Sequence, residues 1–356
     1  MSHQEITTHP RLSTDVQSSS QMERSWQHGM TISPPKTNPA LNTSPRENYS
    51  PEPPLVYFPI HRSLDAGITW NPLSNITDTV NNWGLRYQPF LYVLPTAIGS
   101  LPAGTLLASG VSIPTDLSQT KIDIYSSHDS GLTWSFLSTV ITGGRANPNN
   151  GETPVWEPFL MVYENQLVVY YSSQLDPAHG QKLCHQVSSD GLNWGPVVND
   201  VAYAEYSKRP GMTTVAALPN GKFILAYEYG GGASPTGAGF PIYYRIASNP
   251  LLFDEADEFL LGAGGVYPSS SPYVVWTPAG GVNGTLVLSA NSHSDIFVNT
   301  KLGDVGGWRR VATPQSGAYS REVRVLDDPE WLHIMSAGYL GGDNWVTNSV
   351  FKVPGV

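Results

Sequence analysis

The sequence predicts an all-β protein folded as a six-bladed β-propeller, and three observations carry that expectation. Strand-length runs rich in β-branched and aromatic residues alternate with clusters of Gly, Pro, Asn and Asp. A turn motif returns about every 60 residues, the spacing of a repeating sheet unit. No run keeps a helical period for more than about two turns.

The strand runs include TLLASGV, KIDIYSS, QLVVYYSS, KFILAYEYG, PIYYRIAS, TLVLSAN and WLHIMSAG. The turn motif reads SLDAGITW from Ser63 to Trp70, SSHDSGLTW from Ser126 to Trp134, and SSDGLNW from Ser188 to Trp194. Degenerate copies follow as SNPLLF at Ser248 to Phe253 and GDVGGW at Gly303 to Trp308. About four short strands fit in each interval, which is the content of a propeller blade. These five marks, with the strands of 316–352, make six blades across residues 47–356, the first of them incomplete.

The motif explains itself as a hairpin staple. An Asp carboxylate and a Ser hydroxyl accept turn N–H groups, Gly takes a backbone conformation closed to other residues, and Trp packs between sheets. Asp65, Asp129 and Asp190 are therefore expected to be structural, because a catalytic or metal-binding group is needed once and these recur in blade after blade.

Composition narrows the function. The chain has 356 residues, 34 Gly, 30 Pro, 10 Trp and 18 Tyr, and a formal net charge of −10. That charge argues against nucleic acid, whose phosphates need clustered Lys and Arg, while the aromatics suit both a large core and stacking on sugars. No apolar run approaches the roughly 20 residues of a membrane span. Cys184 is the sole cysteine, so no intramolecular disulfide forms. Residues 1–46 are rich in Ser, Thr, Pro, Gln and His and read as a disordered tail without the apolar core of a signal peptide. Sequons at Asn42, Asn48, Asn75 and Asn283 are weak evidence for secretion. A monomer is expected, and neither metal nor cofactor: His128, His185 and His293 lack ligand spacing, and GGGASPTGAG lacks the features of a phosphate cradle.

Two glutamates stand out. Glu157, in VWEPF, lies between Trp and Pro, where aromatic burial would raise a carboxyl pKa. Glu228, in ILAYEYGGG, ends an apolar strand that runs into a glycine loop. Both are expected at comparable points of adjacent blades, so that both carboxyl groups face one ligand. For each, a surface or ion-pairing role is the alternative.

Between the turn motifs, ENYSPEPPLVYFPIHRSLDAGITW, WGLRYQPFLYVLP, the block from Trp156 to Gly230 and SGAYSREVRV resemble glycoside hydrolase family 93. The motifs themselves resemble the Asp-box (BNR) repeats of the wider sialidase-like propellers. The family comprises fungal exo-α-1,5-L-arabinanases that release arabinobiose from linear arabinan, a side chain of pectin, with retention of configuration. The resemblance implies Glu157 as nucleophile, Glu228 as general acid/base, and Tyr319 as a tyrosine whose hydroxyl bonds the nucleophile. Retention implies carboxyl groups about 5–5.5 Å apart. Asp176, His179 and Gln181 in LDPAHGQK, with Arg86, Arg209 and Arg321, are the implied sugar-binding residues; a self-contained turn network is the alternative for the first three and solvated surface for the arginines. The resemblance also implies an extracellular enzyme, although it starts only at Glu47, where the family's secretion signal and first strands should already have passed. Either a wrongly joined first exon or a divergent product lacking those strands accounts for this. A sialidase and a non-catalytic carbohydrate-binding propeller are the competing functions.

Overall fold

The computed structural model describes residues 55–339 and 345–355, together with the backbone of 30–32. Among the described residues six antiparallel sheets follow one another along the chain. The first contains β1 (Met30–Ile32), β2 (Phe58–Arg62) and β3 (Asn71–Ile76). The second contains β4 (Leu85–Val93), β5 (Leu106–Ser112), β6 (Thr120–Ser127) and β7 (Ser135–Gly143). The third runs from β8 (Val155–Tyr163) through β9 (Gln166–Ser173) and β10 (Lys182–Ser188) to β11 (Val198–Val201). The fourth holds β12 (Arg209–Ala217), β13 (Phe223–Gly230), β14 (Ile242–Ala247) and β15 (Glu258–Leu260). The fifth holds β16 (Tyr273–Thr277), β17 (Thr285–Ser289), β18 (Ile296–Asn299) and β19 (Trp308–Val311), and the sixth β20 (Arg321–Val325), β21 (Trp331–Ser336) and β22 (Thr347–Lys352).

Each sheet is a meander, because every strand pairs with its sequence neighbour. First strands of successive sheets touch one another, β1 to β4, β4 to β8, β8 to β12, β12 to β16 and β16 to β20, so they stand around a common axis. The result is an all-β propeller. Three residues of the segment read as a tail, Met30–Ile32, pair with β2; the remainder of 1–46 lies outside the described residues, as do Asn42 and Asn48.

Middle strands such as β9, with the pattern iBBBBBBB, are buried on both faces because each sheet is packed between two others. The core is correspondingly divided into seams. Phe58 and Ile60 of the first sheet pack on Leu106 and Tyr125 of the second, and Leu107 and Ile122 on Leu160 and Val169 of the third. Val168 and Tyr170 meet Leu225 and Tyr227, Ala226 and Tyr244 meet Leu288 and Phe297, and Val287 and Ile296 meet Val323 and Leu332.

The repeated turn clasps each seam. In the second sheet Ser127 Oγ accepts from Gly131 N–H (2.8 Å) and donates to Asp129 Oδ1 (2.8 Å), which also accepts from Thr133 N–H (2.9 Å). The hydrogen bonds from Thr133, first its hydroxyl and then its N–H, push the Asp129 carboxyl down to about 2. Ser130 and Gly131 both have positive φ, 73° and 75°, which closes the turn tightly. The turn then binds its neighbour. Ser74 of the first sheet donates to the Gly131 carbonyl and accepts from the Trp134 indole (3.2 Å). Ser138 does the same for Gly191 (2.7 Å) and Trp194 (3.1 Å) one sheet later.

The degenerate turns keep this seam bond with a tyrosine hydroxyl in place of the serine. Tyr170 donates its hydroxyl to the Pro250 carbonyl (2.7 Å), and Tyr244 donates to that of Gly303 (2.8 Å). Asn348 on β22 acts likewise toward the first sheet once its amide is oriented to satisfy both of its ends: the nitrogen then donates to the Gly67 carbonyl (2.8 Å) and the oxygen accepts from the Trp70 indole (3.3 Å). The last sheet is thereby fastened to the first. Because Tyr170 is fully buried, Tyr170→Phe is expected to leave the Pro250 carbonyl unpaired and to destabilise the protein by about 1–3 kcal/mol. Urea unfolding would measure the loss; a midpoint equal to that of the parent would refute the clasp.

Candidate active site

The site begins with a distortion in β8. Pairing between β8 and β9 shifts register between Trp156 and Phe159, and within this bulge Glu157 has φ of 62°. A left-handed backbone costs an L-residue with a Cβ about 1–2 kcal/mol, so this conformation needs holding. The Glu157 N–H donates to Gln88 Oε1 of β4 (3.2 Å). Its carboxylate Oε2 accepts from the Ser172 hydroxyl (2.5 Å) and the Met212 N–H (2.7 Å). Burial raises the Glu157 pKa, opposed by Ser172, then Met212, then the charge of Arg209.

Glu228 arrives by a different route from the one its sequence spacing suggests. It is not at the point of its sheet that corresponds to Glu157: it lies near the end of the second strand, β13, opposite Gly211 of the first strand. A Cβ on Gly211 would stand 3.5 Å from Glu157 Oε2, 3.5 Å from Glu228 Oε1 and 2.8 Å from Gln181 Nε2. The missing side chain is what lets a second-strand carboxyl reach a first-strand site. The two carboxyl oxygens lie at most twice that 3.5 Å apart.

Glu228 Oε2 accepts one backbone hydrogen bond, from Ser271 N–H (2.8 Å). Its pKa is pushed up to about 7, first by burial and then by the charge of Glu157. Two close carboxyls cannot both ionise easily. Glu157 meets the shorter hydrogen bonds, 2.5 and 2.7 Å against 2.8 Å, so it is the ionised partner and Glu228 carries the proton. A buried pair of carboxyls with one proton between them can act as nucleophile and acid.

Tyr319 belongs to this cluster. Burial and then the charges of Glu157 and Glu228 raise its pKa, while the nearby Ser271 side chain opposes them. The direct bond to Glu157 expected from the sequence is absent; Glu157 Oε2 accepts from Ser172 and the Met212 N–H instead. Arg209 braces the floor. Its Nη2 donates to Gln174 Oε1 (3.1 Å) and Gln181 Oε1 (2.8 Å), its Nη1 to Asn150 Oδ1 and the Gly180 carbonyl, while Gln181 Nε2 donates to the Pro210 carbonyl (2.8 Å).

Three of the expected sugar-binding residues are otherwise engaged. Asp176 accepts from Lys182 (2.8 Å) and from Ala178 N–H (3.0 Å) within its own loop, and His179 Nδ1 donates to the Tyr203 carbonyl (2.7 Å) of the loop after β11. Arg321 is fully buried and donates to the carbonyls of His293 (2.7 Å) and Ser294 (2.9 Å). A guanidinium enclosed by backbone carbonyls cannot line a sugar channel, so Arg321 is a strut between the fifth and sixth sheets. Arg86 lies on β4, two residues before Gln88, with a buried Nε that has no hydrogen-bond partner. Among the described residues no group of three His, Cys, Asp or Glu side chains converges as a metal site.

Sequence reasoning passed over Gln88, Ser172, Gly211, Met212 and Ser271. One signal was present: Gln88-Pro-Phe, Glu157-Pro-Phe and Ser271-Pro-Tyr are copies of one triplet, the first two within β4 and β8 and the third just ahead of β16. All three of these leading residues have positive φ, 52°, 62° and 49°.

No family model matches the chain, and no curated protein does. Solved structures do. An α-L-arabinofuranosidase of Fusarium graminearum, solved with an iminosugar inhibitor, is 52% identical over 86% of this chain and 88% of its own, with a TM-score of 0.83. A structure described as the family 93 glycoside hydrolase of the same organism with arabinobiose gives the same figures. An α-L-arabinanase of Penicillium chrysogenum complexed with arabinobiose is 51% identical over 86% of this chain and 88% of its own, at a TM-score of 0.81. Half of all positions shared over nearly the whole propeller, on top of the paired carboxyls at Gly211, leaves one conclusion: the chain belongs to glycoside hydrolase family 93.

Proposed function

We propose that the protein is an exo-acting glycoside hydrolase that releases arabinobiose from linear α-1,5-L-arabinan by a retaining double displacement. The observation that carries this reading is the buried pair Glu157 and Glu228, whose carboxyl oxygens each come within 3.5 Å of the place a Gly211 side chain would fill. Glu157 attacks the anomeric carbon as its leaving oxygen takes the proton of Glu228. Glu228, now a base, deprotonates the water that releases the sugar from Glu157. Tyr319 and Arg209 bound the site near both carboxyls, and exposed Tyr87 and Tyr206 offer rings for furanose stacking at its rim.

The six sheets are six blades, the turns at Asp65, Asp129 and Asp190 are Asp-boxes, and the enzyme acts as a secreted monomer of fungal type on pectic arabinan. The sialidase alternative requires arginines free to clamp a carboxylate. Arg321 is engaged by backbone carbonyls and the Arg209 fork by Gln174 and Gln181, which favours a neutral sugar.

Incubation with linear arabinan is expected to yield arabinobiose as the first and dominant product, with its initial anomer matching the substrate by NMR. A ladder of oligosaccharides would refute exo action. The opposite anomer would refute double displacement, and oligosaccharide binding without turnover would favour a lectin.

A further inference from the structure

The first-strand bulges form a relay around the axis. Gln88, Glu157 and Met212 occupy equivalent irregularities of β4, β8 and β12, where the pairing of each strand slips, and each has positive φ, 52°, 62° and 52°. The side chains of Gln88 and Glu157 reach the next sheet's bulge, and that of Met212 reaches Ser271 just ahead of β16. Gln88 Oε1 accepts from Glu157 N–H (3.2 Å), Glu157 Oε2 from Met212 N–H (2.7 Å), and Met212 Sδ from the Ser271 hydroxyl (3.1 Å). Ser271 in turn gives its N–H to Glu228 (2.8 Å). The carboxyl pair is thus tied into one line of contacts that starts at Gln88.

We infer that Gln88 is a positioning residue for Glu157: its carboxamide oxygen captures the Glu157 N–H and holds the carboxyl-bearing residue in its left-handed conformation. This deepens the reading of Glu157 as nucleophile and rests on it. Two physical facts carry it. A residue with a Cβ leaves the left-handed region for extended backbone unless a partner opposes it. A peptide turned this way also presents its N–H toward the preceding sheet, where Gln88 is the acceptor that it meets. The choice of glutamine over glutamate is part of the device. Glutamate has the same reach and accepts the same hydrogen bond, but its charge would raise the Glu157 pKa and favour a protonated, inert nucleophile. In the triplet at the head of β8 the equivalent position must be an acid; at β4 it must accept a hydrogen bond and stay neutral.

The test uses the full-length protein with Gln88→Met, which keeps length and removes the acceptor, and Gln88→Glu, which keeps the acceptor and adds charge. Gln88→Met is expected to lower kcat on linear arabinan by about tenfold or more, as for the loss of one buried hydrogen bond, with KM changed less than about twofold. Gln88→Glu is expected to retain most of kcat at its optimum while the acidic limb of its pH profile moves up by roughly one pH unit. A residue that merely packed would give neither the kcat-against-KM split nor the displaced limb. Crystal structures of the two variants supply a readout independent of turnover: Glu157 should leave φ near its parent value of 62° in Gln88→Met and keep it in Gln88→Glu. Parental kcat and an unmoved Glu157 backbone in Gln88→Met would overturn the inference. If Gln88→Met does not fold, an unshifted acidic limb in Gln88→Glu overturns it alone. Failure of the parent protein to cleave arabinan would instead sink the functional reading, and the crystal structures would still decide whether Gln88 holds the bulge.

Discussion

Glu157→Gln is expected to lower kcat on linear arabinan by about four orders of magnitude or more, since removal of a covalent nucleophile forfeits its whole pathway. The substitution is close to isosteric. A carboxamide oxygen can accept from Ser172 and from the Met212 N–H as Oε2 does now (2.5 and 2.7 Å), so the bulge and its neighbours stay in place. What disappears is a charge and a nucleophile. The same change is expected to raise the melting temperature above neutral pH. In the folded protein the Glu157 pKa lies above its ordinary 4.5, chiefly through burial. A group of this kind contributes its stability below the unfolded pKa and loses it as pH rises through the folded one. The parent therefore weakens above about pH 4.5 relative to the uncharged variant. Calorimetry across pH 4–9 with parallel assays measures both effects. Activity within tenfold of the parent would remove Glu157 from the mechanism.

Glu228→Gln is expected to cost roughly 10²–10⁴-fold in kcat on arabinan, the usual contribution of a general acid/base. The deficit should depend on the leaving group. An arabinofuranoside with an activated aryl group needs no proton to depart, so its first step is spared, while the second step still lacks a base. The variant should therefore show a burst of aryl alcohol followed by slow turnover. The parent pH profile makes the same assignment from another side. Glu228 must be protonated at the start, and with its pKa pushed up to about 7 the rate on arabinan should fall as pH rises past that value. In Glu228→Gln that alkaline limb should vanish. A limb that persists belongs to another group, and the acid is then misassigned.

The sequence carried the architecture better than the site. The turns at Asp65, Asp129 and Asp190 were legible because their pattern is local: donors, acceptors and glycine lie within about eight residues and repeat. The degenerate turns at Ser248 and Gly303 were found by spacing alone, and the structure puts both on seams, where Tyr170 and Tyr244 stand in for the serine donor. Glu157 and Glu228 stood out from their local sequence and took their expected roles from a family resemblance, which alone pointed at Tyr319. Their geometry was not readable, since it depends on an absent side chain at Gly211 and on bulges that a period-two pattern hides. Arg321 went astray for a related reason. Nothing in SGAYSREV separates an arginine that meets sugar from one that bonds carbonyls across a seam. Asp176 and His179 illustrate the limit again: the polar loop was visible, but the sequence left sugar contact and inward-turned bonds both open.

The turn that fastens the third sheet lies at the Ser188 end of β10, opposite Leu167, whereas Glu157 shares the other end of that sheet with Ser172, Ser173 and Lys182. The seam clasp and the carboxyl-bearing bulge therefore occupy opposite ends of the same sheet. Insertions, deletions and new aromatic residues on the carboxyl-bearing rim can reshape what is cut without loosening the ring. Changes on the opposite rim can be judged by folding yield alone. Such a separation lets one scaffold explore many polysaccharides while its walls stay closed.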